Sequence, residues 1–243
     1  MMLSTTALAR LAGVAAAAAA ALAVSAATGL SATPDAGSMR LPPLAGTAGA
    51  AADAADGLQT AVLSGGCFWG VQGVFSHVRG VRSVVSGYAG GTAASADYET
   101  VSTGTTGHAE SVKIVFDPRQ VSYAEILRIF FSVATDPTQL NAQYPDTGPQ
   151  YRSEIFYATP QQERAARAYI EQLNGVRAFS RPIVTRVDPL KGFYPAEAHH
   201  QDYLFLHPDQ RYIATFDLPK VAALKRLFPQ VYQDTAVLVR PRG

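Results

Sequence analysis

Cysteine is almost absent from this chain. Cys67 is the single one among 243 residues, which excludes an internal disulfide and any metal or iron–sulfur centre built from cysteines alone. An excess of one charge is missing too: 20 lysines and arginines face 19 aspartates and glutamates, a formal net charge of +1. Nucleic-acid binding normally needs a basic face, so no such partner is expected. No internal repeat is visible, and the 48% hydrophobic content is ordinary for a globular protein. Full-length disorder and a fibrous repeat are therefore excluded. At about 150 residues per domain, the length fits one large domain or a domain with an appendage.

One long uncharged stretch does occur. Residues 11–34 carry no charge, and 11–27 are almost entirely Ala, Val and Leu behind Arg10. A basic residue, an apolar run and then the small residues of Ala21-Leu22-Ala23 and Ser25-Ala26-Ala27 have the layout of a secretory signal. Residues 1–30 are thus expected to direct export, to a periplasm or out of the cell. An uncleaved membrane anchor is the alternative, since the run is long enough to span a bilayer; a mis-assigned start is a third. Gly29, Pro34 and Asp35 break the run, and with no cysteine directly after it a lipid-modified N-terminus is not expected. Residues 31–57, rich in Ala, Gly, Pro, Ser and Thr, read as a flexible linker. Residues 58–243 read as one domain.

Within that domain Ala61-Val62-Leu63 reads as a strand running into Gly65-Gly66. From Trp69 onward Val71, Val74, Phe75 and Val78 fall on one helical face. Val81–Tyr88 and Ala109–Phe116 read as strands, the second with Val112, Ile114 and Phe116 alternating and stopped by Asp117-Pro118. Ser122 and Glu125 have capping-box spacing and open a helix through Val133. Ser153–Ala158 is a strand, and Thr159-Pro160 starts a helix that Asn174-Gly175 ends. Ile183–Val187 is a strand and Leu218–Phe228 a short helix. The order predicts an α+β fold, a two-layer ferredoxin-like arrangement with a β-α-β-β-α-β core. Its sheet is mixed, helices pack on it, and a coil-rich C-terminal extension follows.

Gly65-Gly66-Cys67-Phe68-Trp69-Gly70 stands where the first strand turns into the first helix. A helix N-terminus offers unpaired N–H groups and partial positive charge, which favour a thiolate and lower a cysteine pKa. Glycines allow a tight turn and close approach by a substrate. A free cysteine is more often a small buried hydrophobe, but Cys67 sits at the turn and not on the apolar stripe, which points to a nucleophile. Phe68 and Trp69 read as core or as an apolar wall around a small methyl-bearing group; aromatic surfaces also suit thioether-like sulfur.

Gly66-Cys67-Phe68-Trp69-Gly70 resembles the signature of the type A peptide methionine sulfoxide reductases (MsrA). Further segments resemble that family in collinear order over 58–212: Gly87-Tyr88-Ala89-Gly90-Gly91, Ala96–Val101, Gly104–Glu110, Asp136–Asn141, Pro145–Gly148, Gln150–Ser153, Phe193–Glu197 and His200–Leu204. The resemblance implies reduction of methionine-S-sulfoxide, free or in proteins. Cys67 would attack the sulfoxide sulfur while Glu110, kept protonated by a raised pKa, gives its proton to the oxygen. Tyr98 and Tyr151 would hydrogen-bond that oxygen, and Asp146 would hold a water or a neighbouring donor. Phe68 and Trp69 would cradle the methyl. Cys67 would end as a sulfenic acid.

The sequence departs from the family at Tyr144, where glycine is common, at Pro149, where threonine is usual, and at Thr135, where histidine is common. It also lacks the C-terminal resolving cysteines of many relatives. Regeneration is therefore assigned to an external thiol, a thioredoxin-like protein or a small thiol, with no bound cofactor, and the chain is expected to act as a monomer. His199-His200 is not expected to hold a metal, because adjacent residues rarely share one ion. Two other classes compete. A thiol peroxidase would pass through the same sulfenic acid without needing an acid beside the thiol. A catalytically dead module would bind methionine-containing proteins without turnover.

Overall fold

Strand β1 (Gln59–Gly65) sends Ala61 and Leu63 to one side of the sheet and Val62 to the other, as period-two geometry requires. The computed structural model containing it describes residues 38–49 and 57–239. The signal or anchor expected over 1–30 lies outside the described residues, as does much of the expected linker. No helix among the described residues is long and apolar enough to cross a membrane.

Helix α1 (Phe68–Ser76) follows β1, then come β2 (Val81–Ala89), the short α2 (Tyr98–Ser102) and β3 (Ala109–Phe116). Next are α3 (Tyr123–Ile129), β4 (Ser153–Tyr157), α4 (Pro160–Gly175), β5 (Arg186–Pro189), β6 (Phe193–Pro195), α5 (Tyr203–Leu206) and α6 (Leu218–Leu227). The capping signals work where they were read, while the strand expected over Ile183–Val187 forms over Arg186–Pro189 instead, where it pairs with β4. Ser122 Oγ accepts the Glu125 N–H at 3.0 Å, and Thr159 Oγ1 accepts the Gln162 N–H at 3.2 Å, so both helices start at side-chain caps. Helix α3 ends earlier than its apolar pattern predicts, because Phe130–Ala134 widen into a π turn.

The sheet is mixed, in the order β5-β4-β1-β3-β2-β6, with β4–β5 parallel and every other neighbouring pair antiparallel. The main core lies on one face, where Val112, Ile114 and Phe116 of β3 meet Val71, Val74 and Phe75 of α1 and Ile126 and Leu127 of α3. Val62, Ala89 and Phe156 form a smaller cluster with Leu190 and Phe193. Helix α1 packs on β1, β2 and β3, and α6 packs on α1. The C-terminal part, expected to be coil-rich, thus supplies a sixth strand and two helices. β6 and α5 were not read from the sequence because each is shorter than one period of a reliable pattern.

Part of the stretch read as linker makes specific contacts. The Leu41 side chain is buried, and the carbonyls of Leu41, Pro42 and Pro43 accept from Arg128 Nε at 2.7 Å, Tyr169 Oη at 2.7 Å and Gln172 Nε2 at 2.8 Å. Composition does not reveal this, because the interacting groups are backbone acceptors met by side chains of α3 and α4.

The register places the chemistry. Gly65, the last residue of β1, pairs with Ser153, the first of β4; Glu110, near the start of β3, pairs with Tyr88 near the end of β2. Cys67, Glu110 and the residues just before β4 therefore emerge at one end of the sheet.

Candidate active site

Gly66 makes the turn into α1 with φ at +97°, and a Cβ there would lie 2.5 Å from the Gln143 Cβ. Both the backbone angle and the close approach require glycine. Gly66→Ala is expected to destabilise the fold by about 1–3 kcal/mol, measured as a lower denaturant midpoint with unchanged slope. A shift under about 0.5 kcal/mol would mean that the turn relaxes freely.

Cys67 occupies the N-cap position of α1 and is 7% exposed. Its environment reverses the expected thiolate. Burial pushes the thiol well above its ordinary value, and the negative charges of Asp217, Glu110 and Asp146 push the same way; the Trp69 N–H pulls against them. The helix end acts over one turn, whereas burial and the acidic side chains around the thiol come from the whole fold. The free site therefore holds a thiol.

Glu110 is 4% exposed and accepts the Phe68 N–H at 3.0 Å on Oε2. Burial raises its pKa to about 8, with Asp146 and Asp217 adding to the effect and the Phe68 N–H opposing it. Near neutrality it is a carboxylic acid, one peptide unit from the thiol. Phe68 is 1% exposed, its ring between those of Tyr88 (5.9 Å between centroids) and His200 (5.3 Å). What it brings to Glu110 is its backbone.

Trp69 is half-buried and firmly held. Tyr203 stacks on it at 3.9 Å and 12°, and its Nε1 donates to His200 Nδ1 at 3.3 Å. Tyr98 heads α2, whose cap is Asp97, and its N–H donates to Glu197 Oε1 at 2.9 Å. Glu197 Oε2 also accepts the Tyr88 hydroxyl at 2.8 Å. Burial raises the Tyr98 hydroxyl pKa, followed by the charges of Glu110 and Cys67; Tyr151 is raised by burial and then by Glu110, Asp146, Tyr98 and Cys67. Both phenols stay protonated donors. Asp146 accepts the Tyr212 hydroxyl, and burial raises its pKa against that bond and Lys220. The structure thus brings Cys67, Phe68, Trp69, Tyr98, Glu110, Asp146 and Tyr151 together.

Four contributors were not read from the sequence. Tyr212 binds Asp146 and meets Trp69 edge-on at 6.1 Å. Asp217 is fully buried, pairs with Lys220 at 3.4 Å, and packs so closely on α1 that a Cβ at Gly70 would fall 2.1 Å from its Oδ1. Burial raises its pKa to about 6 against Lys220. Glu197 holds Tyr98, as above. Arg152 donates to the carbonyls of Gly107 (2.9 Å), His108 (3.1 Å) and Pro149 (2.8 Å) and pairs with Glu154. It ties the approach to Glu110 to the turn bearing Tyr151. Only the family-like run around Arg152 and Glu197 could have flagged any of them; Tyr212 and Asp217 lie outside every matched run. Among the described residues no group of three or more His, Cys, Asp or Glu could hold a metal ion, His199 and His200 included.

The site can present a thiol, a protonated carboxyl and two phenolic donors to one small polar ligand bordered by an aromatic wall. The family model for peptide methionine sulfoxide reductase matches residues 59–231. The chain is 56% identical over 186 residues to peptide methionine sulfoxide reductase MsrA 2 of Mesorhizobium japonicum, covering 76% of this chain and 95% of that one. It is 47% identical over 170 residues to the MsrA of Deinococcus radiodurans, covering 70% and 82%. Among solved structures it resembles methionine sulfoxide reductase A of Corynebacterium diphtheriae, with a TM-score of 0.54 at 31% identity, covering 71% of this chain and 89% of that one. The reduced form of Mxr1 from Saccharomyces cerevisiae gives 0.58 at 29% identity, covering 65% and 90%.

Proposed function

Because the chain belongs to the peptide methionine sulfoxide reductase family and is an oxidoreductase that reduces methionine sulfoxide, we propose that Cys67 and Glu110 carry that reaction on the S epimer. The observation that carries this reading is the buried, protonated Glu110 anchored on the Phe68 N–H beside Cys67. A peroxidase has no need of such an acid.

In the proposed sequence Tyr98 and Tyr151 donate hydrogen bonds to the sulfoxide oxygen as its negative charge grows. Glu110 transfers its proton to that oxygen while the Cys67 sulfur bonds to the sulfoxide sulfur, and the thiol proton replaces the one Glu110 gave up. Protonated a second time, that oxygen leaves as water and the substrate S–O bond breaks, which leaves the methionine sulfur as a sulfonium bonded to Cys67. A water then bonds to the Cys67 sulfur and gives up a proton to Glu110, while the S–S bond breaks with its electron pair returning to the methionine sulfur. Methionine leaves and Cys67 is a sulfenic acid, so sulfur of the substrate is reduced by two electrons and Cys67 oxidised by two. Trp69 supports a methyl-sized apolar wall, and Tyr212 orients Asp146.

With one cysteine in the chain, the second half-reaction is assigned to an outside thiol. A first thiol displaces water from the sulfenic acid to form a mixed disulfide, and a second releases Cys67. A thioredoxin-like protein or a small thiol fits this role. The chain is taken to act as a monomer. The antiparallel order β4-β1-β3-β2 supports the split βαβ, ferredoxin-like reading of the core. The uncharged run behind Arg10 supports repair of exported proteins.

The test offers the separated S and R epimers of a methionine sulfoxide peptide with dithiothreitol. Loss of the S epimer alone is expected, together with complete inactivity of Cys67→Ser. Reduction of neither epimer, or activity surviving in the serine variant, would overturn the assignment.

A further inference from the structure

A row of rings runs outward from the site. Trp69 meets Tyr212 at 6.1 Å and 86°, Tyr212 meets Phe216 at 5.2 Å, and Phe216 meets Tyr144 at 5.7 Å and 82°. Its outer end is uncovered: Tyr144 is 78% exposed, and Leu140 on the same loop is 71% exposed, the two most exposed large hydrophobics among the described residues. The loop is nevertheless fixed. Tyr144 N–H donates to Gln139 Oε1 at 2.9 Å, and Gln139 Nε2 donates to Asp136 Oδ2 at 3.0 Å. Exposed apolar side chains on a braced loop, continuous with a catalytic centre, mark a surface built for contact. A tyrosine suits it, because a rigid, amphipathic ring loses little entropy on binding.

We propose that Tyr144, Phe216 and Leu140 form a lip that binds the apolar residues flanking an oxidised methionine in an extended polypeptide. This rests on the sulfoxide reductase reading given above. Cys67 lies almost wholly buried, so a methionine side chain must reach inward and its backbone must come up against the rim. A folded surface rarely lets that happen, whereas an unfolded segment lays its neighbouring side chains along the lip. Free methionine sulfoxide has no such neighbours and gains nothing from it. The lip therefore sets the preference for substrate in unfolded chains over the free amino acid.

Wild type, Tyr144→Ser and Leu140→Ser are compared with dithiothreitol on three substrates: a short peptide with leucines flanking methionine-S-sulfoxide, the same peptide with serines, and the free amino acid. In Tyr144→Ser the ratio of kcat/KM for the leucine peptide to that for the free amino acid is expected to fall about tenfold. The change lies in KM, the serine peptide responds less, and Leu140→Ser gives a smaller loss in the same direction. Unfolding midpoints of both variants confirm that the fold is intact. An unmoved ratio in both variants overturns the proposal. So does a fall in reductant affinity, measured with thioredoxin and free amino acid, since it assigns the lip to the reductant instead. If wild type reduces none of the three, the reductase reading fails and the lip falls with it.

Discussion

Replacing Glu110 by glutamine lowers kcat for a methionine-S-sulfoxide peptide by about 10²–10⁴-fold, the usual range for loss of a positioned proton donor. Glutamine keeps the shape and can still accept the Phe68 N–H, so the turn at Cys67 stays in place. It has no proton to transfer. The pH profile provides the sharper readout. In wild type Glu110 titrates at about 8, so activity falls as pH rises through that value and the acid is lost. The variant has no such limb. Its thiol should also ionise more readily, because one of the charges that raise the Cys67 pKa is gone. Alkylation of Cys67 by iodoacetamide is then expected to shift to lower pH. A variant that retains wild-type kcat or the same alkaline limb would remove Glu110 from the acid role.

Arg152→Met is expected to cost about 3–5 kcal/mol of stability, because it removes the buried partner of the Glu154 carboxylate and leaves only the largely exposed Arg186, 3.6 Å away. At roughly 2–4 °C per kcal/mol for a chain of this size, the melting temperature falls by on the order of 10 °C. Three carbonyls, those of Gly107, His108 and Pro149, lose their donor at the same time. The loss grows with pH. Burial raises the Glu154 pKa to about 7, helped by a hydrogen bond with Asp188 and opposed by Arg152 and Arg186. Below that value Glu154 is protonated in both proteins and the missing guanidinium matters less; above it the wild-type carboxylate is charged and held by Arg152, whereas in the variant only Arg186, 3.6 Å away, offsets the charge and the Glu154 pKa lies higher. Thermal unfolding at pH 6 and pH 8 checks this, with the larger deficit at pH 8. Arg152→Lys restores the charge but not the fork that spans three acceptors, so it recovers only part of the loss. At temperatures where the methionine variant is still folded, kcat is expected to be reduced as well, since Glu110 and Tyr151 are no longer tied together. A melting temperature within about 2 °C of wild type would show that neighbouring groups take over.

The parts legible in the sequence are those fixed by neighbours along the chain. Ser122 and Thr159 cap their helices, β3 alternates as written, and the glycine pair before Cys67 announces a tight turn. The roles proposed for Glu110, Tyr98, Asp146 and Tyr151 came only from likeness to a family, since none of these residues stands in a locally diagnostic pattern. What stayed hidden is held by contacts between distant residues. Tyr212 reaches Asp146 across 66 positions, and Asp217 meets α1 from the C-terminal part of the chain. The Cys67 thiol shows why this matters. Its helix position, read locally, favours ionisation; its burial and surrounding carboxylates, set by the whole fold, prevent it. The Leu41–Pro43 carbonyls bound by α3 and α4 follow the same logic, because residue type alone says nothing about where a backbone acceptor will find a donor.

The depth of Cys67 also governs how long its oxidised form survives. A disulfide needs two sulfurs about 2.05 Å apart, and a sulfur this enclosed cannot come that near its counterpart on another copy while both remain folded. The oxidised protein is therefore shielded from covalent pairing with itself. A lone thiol placed this deep thus reserves its oxidised form, on the reading proposed above, for a donor whose own sulfur can reach into the site.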